Sequence, residues 1–216
     1  LRQIRPKVLI DIRRIQGLDE IRPEEHAGQF RIGGAVKHHQ IEHAAELKER
    51  CQLLPKAAGR IGFPSIRYRG TIGGNLAQAD SIAAYPVALL ALDGKLTLLS
   101  TEGARTVSIR EFSPAYNKTA LRANEMIHDV TVPMLPKHAG SYFQTYKKRL
   151  GQFSLACLLE GDGRRITKAR LAIGGFYAQV ERLEAAEAML EGERPSPELF
   201  RAAAATVDQG SASATN

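Results

Sequence analysis

No tryptophan occurs among the 216 residues, and cysteine occurs only twice, at Cys51 and Cys157. Neither cysteine has a C-x-x-C partner, which excludes a zinc ribbon or an iron-sulfur cluster built from this sequence alone. Two isolated thiols also argue against a disulfide scaffold and fit small buried hydrophobes in a reducing compartment, so the cytoplasm is the expected location. Long apolar runs are missing too: no stretch of eighteen apolar residues is present, and LRQIRPKVLIDI has neither the apolar length nor the small-residue cleavage site of an export signal. No membrane span is expected. Aromatic residues make up only 6%. That scarcity, with lysine and arginine spread along the chain, speaks against nucleic-acid binding despite a formal charge of +7, because such binding needs clustered cations and stacking platforms. An anionic small molecule or an acidic partner subunit accounts for the charge. There is no G-x-G-x-x-G between a strand and a helix, no Ser-His-Asp arrangement, and no paired-carboxylate motif. No catalytic side chain and no metal ligand is therefore assigned.

With 44% apolar residues the chain can bury a core of its own. Periodicity predicts a strand over Val8 to Ile12 that turns at Gly17 and resumes near Ile21, then a strand over Phe30 to Val36. HHQIEHAAELKERCQLLPKAAGRI carries Ile41, Ala44, Ala45, Leu47 and Cys51 at helical spacing, with a break or restart at Pro55. A strand before Gly70 is expected to lead into a glycine loop, followed by a short buried helix in SIAAYPVALLALDG despite Pro86. From Lys95 the period becomes two: KLTLLSTEGARTVSI reads as a hairpin turning at Thr101-Glu102-Gly103, a brief helical or irregular stretch holds Phe112, and EMIHDVTVP is a further strand ended by Pro133. MLPKHAG, from Met134 to Gly140, is the expected domain boundary. Beyond it come three strands, the last two joined at Gly161-Asp162-Gly163, and then helices in VERLEAAEAMLEG and PSPELFRAAAATV, the second with a serine cap ahead of Pro197. The expected class is α+β, a mixed or antiparallel sheet with flanking helices followed by a small domain of three antiparallel strands plus helices. The division falls at 1–136 and 137–216, with a disordered tail over 208–216.

Arg67 to Asp80, RYRGTIGGNLAQAD, is the most informative stretch. Gly73 and Gly74 follow the predicted strand and precede a helix, so consecutive amides can point into one concavity, and Thr71 and Asn75 add a hydroxyl and an amide. A tight turn is the plainer reading of the same pair. The stretch resembles the I-R-x-x-G-T-I-G-G-N signature of the flavin subunits of molybdenum hydroxylases, of the xanthine dehydrogenase and carbon monoxide dehydrogenase type. RPKVLIDI with RIQGL, FRIGGAV, the cysteine-bearing helix, ALLALDGKLTLLS and the E-x-x-x-x-V-x-V-P strand follow in the family's order, so the resemblance spans nearly the whole chain.

The resemblance implies a PCMH-type FAD domain in which Thr71, Ile72, Gly73, Gly74 and Asn75 contact FAD, most of them at its phosphates. Asp80 lies in the polar loop just after, and Ile61 and Ile127 match apolar positions close to the cofactor. It also implies an electron-transfer subunit beside an iron-sulfur subunit with [2Fe-2S] clusters and a large subunit with the molybdenum cofactor, reducing NAD, quinone or oxygen. Apolar segments such as Leu158-Leu159 are expected to serve the partner surfaces. Departures are equally specific. Ala84 stands where the family has a second carboxylate. The family's other flavin loop, an A-G-G run, belongs upstream of Leu1, so the chain is expected to begin part-way through its flavin domain, to offer about half of an FAD cradle, and to bind FAD weakly or not at all unless the missing piece is supplied. A scaffold that keeps the partner interface and binds no flavin is the competing expectation. Tyr146, Lys147, Lys148 and Arg149 read either as a solvent-facing strand end or, by the resemblance, as cations near the isoalloxazine. His38, His39 and His43 read as a solvated helix start, since a metal needs a third ligand and H-E-x-x-H is absent.

Overall fold

The computed structural model describes residues 8–12, 14–80, 83–114, 118–148, 151–175 and 179–213. The elements run β1 (Ile21–Glu24), β2 (Gln29–Gly33), α1 (His38–His43), α2 (Ala45–Arg50), α3 (Leu53–Ala58), α4 (Pro64–Arg67), α5 (Ile72–Ala77), α6 (Ala84–Ala91), β3 (Lys95–Ser100), β4 (Gly103–Ser108), α7 (Ile109–Phe112), β5 (Met126–Pro133), β6 (Gly140–Lys148), β7 (Gly151–Gly161), β8 (Ile166–Gly174), β9 (Glu181–Arg182), α8 (Glu184–Leu190) and α9 (Pro197–Ser213). Two sheets result, one in the order β1-β2-β5-β3-β4 and one in the order β6-β7-β8-β9. Every pairing in both is antiparallel.

Alternation fixes the register of the first sheet. Phe30 pairs with Val132, Ile32 with Val130, and Leu96 with both Val130 and Val107, so one face collects the buried apolar side chains. All eight residues of α6 are buried, as expected of a helix that is apolar all round. It packs against α3, α5, α7 and the strands β7, β8 and β9. A single apolar core therefore runs from Phe30 and Val132 through Leu54, Leu89 and Leu90 to Phe143, Ala156 and Leu158. A second, smaller core holds Ile166, Ala169, Ala186, Leu190 and Ala203 beneath α8 and α9.

Several sequence expectations are corrected. Val8 to Ile12 form no strand, and Val8, Leu9 and Ile10 are exposed, because no described strand lies beside them to complete the ladder. The long helix predicted after Lys37 is three short ones, broken at Ala44 and at Cys51-Gln52. Pro55 sits in the first turn of α3, where its missing N–H costs nothing. The strand expected before Gly70 is the turn of helix α4, started by Pro64 after extended Phe63. The small domain has a fourth strand, the two-residue β9. Helix α9 continues through residues 208–213, placed in the sequence reading in a disordered tail, since extending an alanine-rich helix costs far less than starting one. Its serine cap holds: Ser196 Oγ accepts the Leu199 N–H at 3.1 Å.

Candidate functional site

Thr71 lies at the start of the site as the N-cap of α5, with extended backbone, and its Oγ1 accepts the Gly74 N–H at 3.1 Å. The two glycines are therefore inside the first helical turn rather than in a loop before it. Their amides are already committed. Ile72 N–H donates to the Val36 carbonyl at 3.0 Å, Gly73 N–H to the Gly34 carbonyl at 2.9 Å, and Asn75 N–H to the Thr71 carbonyl at 3.0 Å. The expected row of amides aimed at a phosphate is not formed among these four groups, because the chain spends them on capping and on the junction with β2.

That junction explains why Gly73 is a glycine. A Cβ there would stand 2.6 Å from the Gly34 carbonyl oxygen, and a Cβ on Gly34 would collide with the Ile127 carbonyl oxygen. Gly34 N–H in turn donates to the His128 carbonyl at 2.8 Å. Three backbones from distant parts of the sequence thus touch through two glycines. The pair Gly33-Gly34, at the end of β2, is the floor of the site. Gly74 differs from Gly73: it is exposed, with only Thr71 Oγ1 near its would-be Cβ, at 3.1 Å.

Asn75 is half-buried, and its Oδ1 is the one buried side-chain oxygen or nitrogen without a hydrogen-bond partner among the described residues. An unmet buried acceptor costs about 1–3 kcal/mol unless something donates to it. A dinucleotide offers ribose and ribityl hydroxyls to Oδ1. With the amide turned over, its N–H groups would meet a phosphate. The residues therefore fit an FAD through the Asn75 side chain and the Thr71 hydroxyl, which keeps a hydrogen to give while accepting from Gly74.

The other predicted positions are placed as follows. Ile127 is 6% exposed, in the core beside the Gly34 contact. Ile61 is half-buried in the turn after α3, and its carbonyl accepts from Arg67 Nη1 at 3.3 Å. Asp80 is half-buried just past Ala79, a non-glycine residue at φ +53°. Ala84 is buried at the start of α6. Tyr146 stacks on Phe153 with ring centroids 4.9 Å apart. Arg149 and the side chain of Lys148 lie outside what is described. Leu158 points into the core, while Leu159 lines an apolar cavity of about 740 Å³ with Tyr142, Phe153 and Leu171. Cys51 and Cys157 are free thiols, and burial pushes them up to about 12 and about 11.

Sequence reasoning missed two supports. His38, read as part of a solvated helix start, is 3% exposed. Its backbone N–H donates to the Gly70 carbonyl at 3.1 Å, its Nε2 would be 2.6 Å from a Cβ on Gly70, and its Nδ1 is 3.1 Å from the hydroxyl of fully buried Tyr85. Burial first, and the Arg67 charge second, lower its pKa to about 4. The second support is Asp129, 1% exposed beside the Gly34 contact. It accepts from Arg31 Nη1 at 2.9 Å and Thr97 Oγ1 at 2.9 Å and lies 2.7 Å from His128 Nδ1. Asp129, Arg31 and His128, with Gly17, Gly33 and Arg22, line a polar cavity of about 300 Å³. Neither support has a motif. Only the close approaches made in the fold reveal them.

Comparison with known proteins gives a consistent picture. Residues 1–135 match the family model described as FAD binding domain in molybdopterin dehydrogenase. Residues 142–214 match that of the CO dehydrogenase flavoprotein C-terminal domain. The chain is 33% identical over 206 residues to the nicotine 6-hydroxylase medium subunit of Paenarthrobacter nicotinovorans, covering 94% of this chain and 71% of that one. It is 32% identical over 212 residues to subunit alpha of the 6-hydroxypseudooxynicotine dehydrogenase complex of the same organism, covering 95% and 71%. Among solved structures it resembles a carbon monoxide dehydrogenase of Hydrogenophaga pseudoflava, with TM-score 0.86, 30% identity, and coverage of 95% of this chain and 72% of that one.

Proposed function

The chain belongs to the family of FAD-binding domains of molybdopterin dehydrogenases, completed by a CO dehydrogenase flavoprotein C-terminal domain, and on that premise we propose that it is the FAD-carrying electron-transfer subunit of a molybdenum hydroxylase complex. Substrate is oxidised at a molybdenum cofactor in a large subunit, and an iron-sulfur subunit hands the electrons on. Neither centre belongs here, since a [2Fe-2S] cluster takes four ligands and this sequence has two separated cysteines. FAD, when bound, supplies the exchange between one-electron chemistry at the clusters and two-electron chemistry at an external acceptor, NAD, quinone or oxygen. The chain's own residues bind and orient it: Asn75 and Thr71 through their side chains, Gly74 by leaving open space, and Ile72 and Gly73 by fixing the α5–β2 junction. Ile61, Asp80 and Ile127 complete the proposed set. The division at 136 and 137 and a cytoplasmic location, to which the free cysteines lend support, belong to the same reading.

The observation that carries the proposal is the partnerless Oδ1 of Asn75 inside the T-I-G-G-N segment. Titrating the purified chain with FAD and following flavin fluorescence tests it. Weak, saturable quenching is expected, and Asn75→Ala should weaken it about tenfold further, the equivalent of one hydrogen bond of roughly 1.4 kcal/mol. A second reading, a scaffold that keeps a partner interface without flavin, rests on Ala84 in place of a carboxylate and on the committed amides. Absence of quenching at high FAD would count against the first reading and support the second.

A further inference from the structure

Helix α1 carries a second constellation, built from side chains other than those of the Thr71–Asn75 segment. His39, Glu42 and His43 each offer one ligand atom, and these atoms lie within 4.8 Å of one another. His39 and His43 are one helical turn apart, so their rings share a face, with centroids 4.3 Å apart. The Tyr68 ring lies 4.1 Å from that of His39. Glu42 projects beside them because Arg67 Nε donates to its Oε2 at 2.8 Å. Arg67 is itself anchored on the Ile61 and Gly62 carbonyls at 3.3 and 3.0 Å. The sequence reading set the histidine pair aside for want of a third ligand. Folding supplies one, from the same helix and held in place from α4.

We propose that His39, Glu42 and His43 bind a single first-row divalent cation of the zinc or nickel kind, with water completing the coordination. Two imidazoles and one carboxylate form a set of intermediate softness, which suits Zn(II) or Ni(II). Calcium and magnesium take six or more oxygens and find too few here. Donors about 2.0–2.1 Å from a tetrahedral zinc stand roughly 3.4 Å apart, so the ligands must close by about an ångström. The side chain of His43 is 56% exposed and free to make that movement. Its Nδ1 lies 4.0 Å from Glu42 Oε2 and 2.9 Å from the His39 carbonyl, so the same movement has to present a ring nitrogen free of that carbonyl to the metal. The Arg67 guanidinium both orients the carboxylate and opposes a cation, so the site is an exchangeable one that fills and empties with the ambient metal.

Isothermal titration of the metal-free chain with Zn(II) at neutral pH decides the matter. One ion per chain is expected, with Mg(II) giving no heat. His43→Ala and His39→Asn should each weaken binding tenfold or more, by analogy with the 10–100-fold cost of losing even a supporting group. Circular dichroism and melting of the metal-free His43→Ala variant should match the parent, since that side chain is exposed. Zinc binding unchanged in His43→Ala, or no saturable binding by the parent chain, overturns the proposal. Flavin fluorescence of His43→Ala, expected to be unaltered, keeps the outcome separate from that of the FAD titration.

Discussion

Acidification from neutral pH to about pH 4 is expected to remove roughly 3 kcal/mol of stability through one side chain, His38. In the folded chain its pKa is lowered from 6.5 to about 4, chiefly by burial, and the unfolded chain keeps the ordinary value. Between those two values the unfolded state binds the extra proton, so stability rises with pH across that window and is lost as pH falls through it. A difference of about 2.5 units at 1.36 kcal/mol each gives the ~3 kcal/mol. The side chain is only 3% exposed, so solvent screening does not discount it. The hydrogen bond to Tyr85 points the same way. Burial holds that phenol well above its usual range, and a phenol that keeps its proton can donate to Nδ1 only while the nitrogen is unprotonated. The comparison is His38→Gln, which keeps a polar atom for Tyr85 and cannot titrate. Urea unfolding at a series of pH values should show the two proteins converging on acidification. The parent chain should lose roughly 1–3 M more in midpoint than the variant, for an m-value of 1–3 kcal/mol/M. Parallel curves down to about pH 4 would refute the argument, for His38 would then be solvated or unfolding elsewhere first.

Gly73→Ala should cost about 1–3 kcal/mol by forcing a Cβ to within 2.6 Å of the Gly34 oxygen, whereas Gly74→Ala should be neutral or slightly stabilising because alanine favours a helix by about 1 kcal/mol; thermal melting separates them. Arg182 is 6% exposed and pairs with Glu187 at 2.7 Å and Asp93 at 3.0 Å. Arg182→Met should therefore destabilise by about 3–5 kcal/mol, since it strands a buried carboxylate, and adding Glu187→Gln, which removes the charge but keeps an acceptor for the Leu171 N–H, should recover much of the loss in denaturant titrations.

What sequence could reveal followed from local pattern. The β3–β4 hairpin, strand β5, the buried helix α6 and the three long strands β6, β7 and β8 are set by alternation, by runs of apolar residues and by turn glycines, all local signals. The failures share a cause. Val8–Ile12 has the composition of a strand, but a strand needs a neighbour, and no described one lies there. The residues around Ile66 look β-prone until Pro64, after extended Phe63, turns them into α4. His38 and Asp129 were invisible for another reason: each is defined by what folding brings against it, Gly70 and Tyr85 in one case, Arg31, Thr97 and His128 in the other.

The glycine pair illustrates how a correct motif can carry an incomplete mechanism. Gly73 was read as a place where a phosphate approaches the backbone; what approaches is Gly34, and through Gly34 the carbonyls of Ile127 and His128. The amides are consumed in building the junction, so the charge of a dinucleotide must be met by side chains. Arg22 and Arg31, the guanidinium groups lining the polar cavity, are already paired with Glu20, Glu24 and Asp129. On the proposed function, affinity then depends on few groups, Asn75 and Thr71 foremost, and on whether three distant segments are in register before the ligand arrives. Such a site is linked to folding: FAD at a hundred times its Kd would add about 2.7 kcal/mol to the stability of the first sheet. Any change that loosens the Gly34–Gly73–Ile127 contact lowers the affinity through the sheet, without touching the flavin.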